Sequence, residues 1–195
     1  RLAPLRGDTQ SYIDHSSRPF FANSKSASIF MEALTNAADV NSNVMIEGEL
    51  GAGRLHAAQV LHVKSPNKKL PFTIRDVARD STWPKAGTVV LPNIDSLPHD
   101  LQSKLARELT TLPEEVRVIA TASPRVVKAV NEGELLASLY YQLAVVVLNL
   151  PPLRDRAEDI IPILDHAITS LSKRYRRPKP KLPETMVKQF HQHSW

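Results

Sequence analysis

One stretch of the sequence decides the fold class, and it runs Val44-Met45-Ile46-Glu47-Gly48-Glu49-Leu50-Gly51-Ala52-Gly53-Arg54-Leu55. An apolar run typical of a buried strand leads into a glycine-rich turn, and a helical pattern follows over residues 56–62. In a phosphate-binding loop of this layout, glycines let backbone N–H groups close around phosphate at a helix N-terminus. However, Arg54 stands at the position of the loop's lysine, and Leu55 at that of its serine or threonine. The stretch therefore predicts the backbone of a phosphate site without its working side chains.

The composition favours a single α/β domain. The chain has 195 residues, of which 42% are hydrophobic, and this is enough for one packed core with a small appendage. The longest apolar run, residues 143–148, is far too short to cross a bilayer, so no membrane partner is expected. There is no cysteine and no basic-then-apolar leader, and we therefore expect a cytoplasmic location.

Neither a metal site nor a catalytic residue is predicted. The seven histidines are scattered, and His191 and His193, only two positions apart, do not share a helix face. Asp95 follows an apolar strand pattern and is interpreted as a surface residue rather than a catalytic carboxylate.

The basic excess is densest in residues 173–181. The net charge of +5 and the pI near 9.6 fit a protein associated with nucleic acid, although they are not specific to that class. A solvated connection between helices and a surface that contacts phosphate or DNA both explain this segment. The sequence favours the first.

Strand and helix patterns alternate along the chain, which predicts a parallel sheet covered on both faces. Residues 1–23 resemble a linker or N-terminal arm, and the start at Arg1 indicates a fragment of a longer protein. Strands are predicted at 44–47, 72–75, 88–91, 116–121 and 145–148. The first predicted helix starts at Ser24, which is its N-cap. Further helices are predicted at 56–62, 98–112, 125–133, 134–142, 159–175 and 183–193.

From Ser24 to Trp195 the chain resembles the AAA+ domain of bacterial enhancer-binding proteins, the sigma-54-dependent, NtrC-like transcription activators. Residues 43–54 resemble that family's first strand and Walker A loop. Residues 87–98, followed by 101–105, resemble its Walker B strand and the next helix.

The later segments continue the resemblance in the same order. Residues 117–123 resemble the sensor I strand, and 139–143 followed by 150–160 resemble the second half of the ATPase core. Residues 193–195 resemble the start of the lid motif. The resemblance implies an AAA+ P-loop three-layer α/β/α sandwich with a central parallel sheet over residues 24–155. The start of a small helical lid subdomain, cut short, is expected over 156–195.

The departures from the family pattern concern catalysis. The Walker B Asp-Glu pair, which organises magnesium and polarises the attacking water, is replaced by Pro92 and Asn93. The two arginine fingers fall on Leu136 and Gln142. With Arg54 in place of the lysine, five positions differ together, and we expect no ATP hydrolysis.

A second group of departures concerns the surface that touches the sigma factor. In the family, the segment between the second and third strands carries a helix interrupted by the contact loop. Here residues 77–87, eleven in number, are too few to hold that insertion and also to connect two parallel strands. A second pore loop is shortened to about residues 110–115. We therefore expect no sigma-54 contact.

Two interpretations of the surviving loop residues remain open. Gly48, Gly51, Gly53 and Arg54 could still bind ATP or ADP weakly, because a backbone N–H cradle needs only the glycines. Alternatively, the glycines are retained because the strand-to-helix turn requires them. Without this weak binding, no cofactor is expected.

A cyclic di-GMP site is the other alternative. In some family members an Arg-x-x-Asp motif, with an arginine ahead of the first helix, binds this ligand, and Arg156, Asp159 and Arg18 match it. Leu55 and Gln59, however, replace the glutamate and arginine expected on the helix after the loop. The sequence favours a structural role for the matching residues.

The resemblance implies the domain of a transcriptional regulator of two-component type that lies between a sensory or receiver domain and a C-terminal helix-turn-helix. We expect an oligomerisation and signal-relay module that self-associates. DNA binding would come through a helix-turn-helix outside this chain, and a partner regulatory protein is also compatible. A ligand-gated domain is the alternative, and an active ATPase fits least.

Overall fold

The computed structural model describes residues 19–193 and residue 195. In this part of the chain five parallel strands form one sheet in the order β2-β3-β4-β1-β5. The strands are β1 (Val44–Glu47), β2 (Phe72–Ile74), β3 (Gly87–Leu91), β4 (Val116–Ala122) and β5 (Val146–Asn149). The helices are α1 (Lys25–Ala38), α2 (Arg54–Lys64), α3 (His99–Leu109), α4 (Val126–Asn131), α5 (Ala137–Leu143), α6 (Ile160–Tyr175) and α7 (Glu184–Gln192).

Strand β1 lies between β4 and the edge strand β5, both of which come from later in the chain. Val44 pairs with Ile119 of β4 on one side and with Val146 of β5 on the other. The apolar residues of β1 are buried because helices cover both faces of the sheet. The predicted parallel sheet, covered on both faces, is confirmed.

The hydrophobic core has two halves, one on each face of the sheet. On one face, Leu34 of α1 and Leu61 of α2 pack with Ile46. On the other face, Leu105 of α3 and Leu139 of α5 belong to the second half. Since successive residues of a strand point to opposite faces, β1 contributes to both halves, and the domain has three layers.

Most predicted elements are found with small shifts at their ends. Ser24 caps α1 as predicted, and its hydroxyl oxygen accepts a hydrogen bond from the N–H of Ala27. Helix α3 ends at Leu109 rather than at residue 112. The hydroxyls of Thr110 and Thr111 donate to carbonyls of the preceding turn, at 2.7 and 3.0 Å, and so end the helix there.

The connection between β2 and β3, residues 75–86, contains no helix. Arg75 organises it from a fully buried position, because one nitrogen donates to both Glu108 and the carbonyl of Asp80. The guanidinium also lies 4.2 Å from the ring centre of Trp83, and the indole N–H donates to Glu108. The connection ends at Gly87, whose φ of +115° and close approach to Pro71 leave no room for a side chain.

A second buried arginine, Arg117 of β4, closes the end of α1. Its guanidinium donates to the carbonyls of Ala37, Ala38 and Ser42, at 2.6, 3.4 and 3.1 Å. The carbonyls of Ala37 and Ala38 lie in the last turn of α1, where no donor of the helix ladder reaches them, so the arginine supplies the missing donors. Burial lowers the pKa of Arg117 below its usual range, although the group remains protonated.

Candidate phosphate-binding site

The glycine-rich loop lies between β1 and α2, at the carboxyl edge of the parallel sheet, where open α/β sheets bind ligands. Gly51 and Gly53 have φ of +87° and +101°, a conformation that residues with a side chain rarely adopt. A Cβ at Gly48 would lie 3.3 Å from both Cβ and the carbonyl oxygen of Leu150. Each of these glycines therefore has a structural reason to be present.

The loop also keeps the donors that a phosphate needs. The N–H groups of Gly53, Arg54 and Leu55 make no hydrogen bond to any residue the structure describes, and the first bond of the α2 ladder runs from Ala57 N–H to the Gly53 carbonyl. Unpaired N–H groups at a helix N-terminus carry partial positive charge and attract anions. Leu55, in the magnesium-ligand position, is 43% exposed and offers no oxygen.

Arg54 turns from the loop toward the end of β3. Its side chain is buried, its Cγ lies 3.4 Å from the place where a Cβ of Gly48 would be, and its Nη2 donates to Oδ1 of Asn93 at 2.7 Å. Burial lowers the pKa of Arg54, and the negative charge of Asp95 opposes this effect. The side chains of Arg54 and Asn93, at the end of the loop and the end of β3, thus contact each other directly.

Asn93 is held in place by the neighbouring strand. It adopts a left-handed conformation with φ of +51°, which asparagine tolerates better than most residues. Its N–H donates to the hydroxyl of Thr121 on β4 at 3.0 Å. Pro92 precedes it and contributes no ligand atom. The end of β3 is therefore built around an amide, with no carboxylate at either Walker B position.

The interpretation of Asp95 as a surface residue is wrong. It lies in a short 3-10 helix, Ile94–Ser96, and is half-buried because its neighbour Ile94 is fully buried and folds this helix against the strand ends. Its Oδ2 accepts a hydrogen bond from the N–H of Ser123 at 3.0 Å. Burial raises the pKa of Glu47, and the nearby charge of Asp95 raises it further. Sequence reasoning missed this pair of carboxyls.

The two arginine-finger positions carry no cation and serve the packing. Leu136 packs against the core, and its N–H donates to Oε1 of Gln102 at 2.8 Å. The carbonyl of Gln142 accepts a hydrogen bond from the side-chain amide of Asn43 at 3.0 Å.

Asp159 and Arg156 make bonds within the domain. Asp159 is fully buried and accepts hydrogen bonds from the N–H of Asn23 at 2.6 Å and from the hydroxyl of Ser24 at 2.9 Å. Arg156 is 6% exposed, donates to the carbonyl of Ala52 at 2.8 Å and lies 5.4 Å from the ring centre of Phe20. The third predicted cyclic di-GMP contact, the arginine at position 18, lies outside the described residues.

An exposed ion pair, not predicted from the sequence, joins the loop to the segment after β5. Arg154 binds Glu49 through two parallel hydrogen bonds of 2.7 and 2.6 Å, and it also donates to the carbonyl of Trp195 at 3.2 Å. The hydrogen bond from Arg154 lowers the pKa of the Glu49 carboxyl. Such a forked pair has a fixed geometry, so it limits the movement of the loop.

Residues 19–193 and 195 contain no group of three or more histidine, cysteine or carboxylate side chains arranged to hold a metal ion. The same residues contain no helix long and apolar enough to cross a membrane.

The comparison with protein families decides the identification. Residues 21–153 match the family described as the Sigma-54 interaction domain. The chain belongs to this family. It is thus an AAA+ domain of the kind found in sigma-54-dependent transcriptional regulators, and the family predicted from the sequence is confirmed.

Curated relatives of this domain are transcriptional regulators. It is 29% identical over 202 residues to the C4-dicarboxylate transport transcriptional regulatory protein DctD of Rhizobium meliloti (strain 1021), covering 84% of this chain and 44% of that protein. It is 30% identical to the sigma54-dependent transcriptional activator SfnR of Pseudomonas putida, covering 83% and 55%. The chain therefore spans about half the length of these relatives.

Solved structures share the fold. NtrX from Brucella abortus, in complex with ATP, superposes with a TM-score of 0.80 at 20% identity, covering 92% of this chain and 49% of that one. The P-loop NTPase domain of a sigma-54 transport activator from E. coli gives a TM-score of 0.51 at 21% identity, covering 65% and 94%. The predicted AAA+ P-loop α/β fold is confirmed.

The glycine-rich loop fits a phosphate better than it fits the magnesium ion that accompanies ATP in such folds. The loop N–H groups of Gly53, Arg54 and Leu55 suit phosphate oxygens. Magnesium requires oxygen ligands, and Leu55 and Pro92 supply none. Arg54 instead places a guanidinium against Asn93.

Proposed function

We propose that this AAA+ domain does not hydrolyse ATP and that it acts in transcription control as a self-associating scaffold and signal relay. The observation that carries the proposal is the hydrogen bond between Arg54 and Asn93. The Arg54 guanidinium donates to the Asn93 amide, and these residues stand where a working site has a lysine and a carboxylate.

The chemical argument considers the steps of hydrolysis in turn. A water must be polarised by a carboxylate, but the Asn93 amide cannot accept a proton and its oxygen is already bonded to Arg54. Charge that develops on the transferred phosphoryl group needs a metal ion and an arginine finger. Loss of a finger alone costs ~10³–10⁵ in rate. Leu136 and Gln142 replace both.

A second part of the proposal is that the domain makes no sigma-54 contact. The resemblance places the contact loop between the second and third strands, where this chain has the non-helical connection of residues 75–86. That connection is held against α3 by Arg75 and Glu108, with Nη2 and Oε2 2.8 Å apart. It offers no projecting hairpin or helix to reach another protein.

What is left is a rigid framework suited to carrying other domains. Among the relatives, NtrC of Rhizobium meliloti is described as a DNA-binding transcriptional regulator, 26% identical over 211 residues. We propose that the whole protein similarly binds DNA through a helix-turn-helix outside this chain and that this domain brings copies together. A partner regulatory protein could take the place of a second copy.

A static nucleotide is the alternative that the loop geometry supports. The unpaired N–H groups could hold ATP or ADP phosphates without turnover, and a bound nucleotide would then act as a controller. Cyclic di-GMP receives less support, because Arg156 and Asp159 already bond to Ala52, Asn23 and Ser24.

An active ATPase with rearranged groups has one observation in its favour, namely that Asp95 lies at the strand ends. The half-buried Glu47 is a second candidate for a catalytic carboxyl, because burial raises its pKa, as it does for many catalytic carboxyls. Asp95, however, is bonded to the backbone N–H of Ser123. This role needs no substrate.

Steady-state ATP hydrolysis with magnesium tests these alternatives on the purified chain, with Arg54→Met, Asp95→Asn and the exposed control Glu158→Gln. We expect the same background rate for all four proteins. Turnover by the unmodified chain that Arg54→Met or Asp95→Asn abolishes, and Glu158→Gln preserves, would overturn the proposal.

Two further measurements test the relay and the static-nucleotide alternative. Calorimetric titration with ATP, ADP and cyclic di-GMP shows whether any of them binds, and heat from ATP or ADP that Gly53→Val removes would favour the static nucleotide. Sedimentation from low to high micromolar protein should show association. A monomer throughout this range would contradict the self-associating scaffold.

A further inference from the structure

The strongest charge concentration of the molecule lies at the end of α6 and in the connection to α7. We call residues 173–181 the basic turn. It has no carboxylate, and removing its charges from the net +5 of the chain leaves −1, so it accounts for the whole basic excess. Its six cations, all exposed, are Lys173, Arg174, Arg176, Arg177, Lys179 and Lys181.

Stabilisation of the helix explains two of these cations. Lys173 and Arg174 lie in the last turn of α6, where positive charge is favourable beside the partial negative charge of the helix end. This effect is confined to the last turn. The four cations from Arg176 to Lys181 lie beyond it, so capping gives no reason for them.

Charge neutralisation within the domain explains only one more. Lys179 pairs with Asp165 of α6, and no other cation of the basic turn makes an ion pair within the described part of the chain. Like charges in sequence repel one another, and this repulsion is relieved when a polyanion binds. The cations of the basic turn without an ion pair are therefore available to a negatively charged partner.

Prolines separate these charges along a segment without regular secondary structure. Arg176 ends α6 in a left-handed conformation with φ of +52°, and residues 177–183 form no helix or strand. Pro178, Pro180 and Pro183 each fix φ near the polyproline value. A proline-rich segment of this kind extends ~3.1 Å per residue where it adopts the polyproline conformation, which spaces its cations along the chain.

We propose that the basic turn binds the phosphate backbone of duplex DNA without base specificity, independently of any helix-turn-helix in the whole protein. Because each proline already fixes its own φ in the free chain, less conformational entropy is lost on binding. Tyr175 is the one aromatic residue of the basic turn and is exposed, but residues 176–181 after it contain no large apolar side chain to insert between lipids. A duplex therefore fits this segment better than a membrane surface. The inference holds whether or not the domain hydrolyses ATP.

Fluorescence anisotropy of the 195-residue chain with a random-sequence duplex, measured over a series of salt concentrations, tests the proposal. The test variant combines Arg176→Gln, Arg177→Gln, Lys179→Gln and Lys181→Gln. The matched control removes the same charge from four exposed lysines without a described ion pair, by Lys64→Gln, Lys68→Gln, Lys69→Gln and Lys85→Gln. Circular dichroism confirms that both remain folded.

We expect weak binding of the unmodified chain, with Kd of ~10⁻⁴–10⁻⁶ M at physiological salt, typical of contacts to the phosphate backbone. The test variant should bind at least ~10-fold more weakly, and its slope of log K against log salt should be shallower by about 3, since each phosphate contact contributes ~0.9. The control variant should keep most of the affinity and most of the salt-dependence slope of the unmodified chain.

Three results would overturn the proposal. The first is the absence of binding at low salt. The second is an equal loss in the test and control variants, which would mean that only the overall charge matters. The third is binding to vesicles that contain phosphatidylserine with no binding to the duplex, which would make the partner a membrane surface.

Discussion

Replacing Asp159 with alanine should destabilise the domain strongly, because this fully buried carboxylate fixes the start of α1 from 135 residues away. It accepts hydrogen bonds from the N–H groups of Asn23 and Ser24, at 2.6 and 3.3 Å, and from the Ser24 hydroxyl. The same hydroxyl oxygen caps the N–H of Ala27. The substitution therefore disturbs the whole N-terminus of the helix.

The size of the effect follows from the donors left behind. A buried donor without a partner costs ~1–3 kcal/mol, and Asp159→Ala leaves the N–H of the buried Ser24 in that state. Asn23 is exposed, and its N–H loses a hydrogen bond to a charged group, which is worth ~1.5–3 kcal/mol. The Ser24 hydroxyl can rotate to another acceptor. Arg156 loses the negative charge that favours its protonated form. We expect a total loss of ~4 kcal/mol in the free energy of unfolding, and about half of that for Asp159→Asn, which keeps one oxygen acceptor.

Urea denaturation followed by circular dichroism measures this loss. With a slope of ~2 kcal/mol per molar urea, the midpoint of Asp159→Ala should fall by ~2 M. The control is Glu158→Ala, which removes the same charge from the adjacent exposed position and should leave the midpoint nearly unchanged. A fall of less than ~0.5 M for Asp159→Ala would refute the structural role and reopen the ligand interpretation of this residue.

Two further substitutions test other parts of the structure. Burial raises the pKa of Glu47 above its ordinary value of 4.5, so the charged form of this residue destabilises the folded state at high pH, and the penalty disappears toward pH 4.5. Glu47→Gln should therefore raise the free energy of unfolding at pH 8 and lose this advantage toward pH 4.5. The exposed control Glu32→Gln should leave the free energy of unfolding nearly unchanged at pH 8. A Cβ at Gly87 would lie 2.4 Å from the Pro71 carbonyl oxygen, so Gly87→Ala should cost about 3 kcal/mol, or ~6–12 °C in Tm. Gly133→Ala, with φ of +75° and no atom within 4 Å, should cost ~1 kcal/mol; equal losses would contradict the steric argument.

The sequence was sufficient for the elements whose signal is local. Apolar periodicity located β1 and α1, and Ser24 was recognisable as an N-cap because serine before an apolar helical pattern is a local signal. The second half of that cap was not visible, since the carboxylate of Asp159 reaches Ser24 only in the folded chain. Local patterns cannot reveal a contact across 135 residues.

In the candidate site, too, the residues could be predicted from the sequence but their long-range contacts could not. The glycines and the substitutions at Arg54 and Asn93 could be found by position alone, but the hydrogen bond that joins these two side chains depends on the direction of a long, flexible arginine. Asp95 was misplaced because the fully buried Ile94 beside it folds the segment back, and one apolar residue in a loop gives no periodic signal. The sequence thus could not predict the direction of the Arg54 side chain or the path of the segment that carries Asp95.

The strand order has a consequence for synthesis on the ribosome. Val44 of β1 pairs with Ile119 and Val146, which lie 75 and 102 positions farther along the chain. At ~5–20 residues per second, the first partner strand appears ~4–15 s after β1 and the second ~5–20 s after it. During that interval the apolar β1 lacks both neighbours, and the nascent chain depends on chaperones or on its own helices to keep this strand from aggregating.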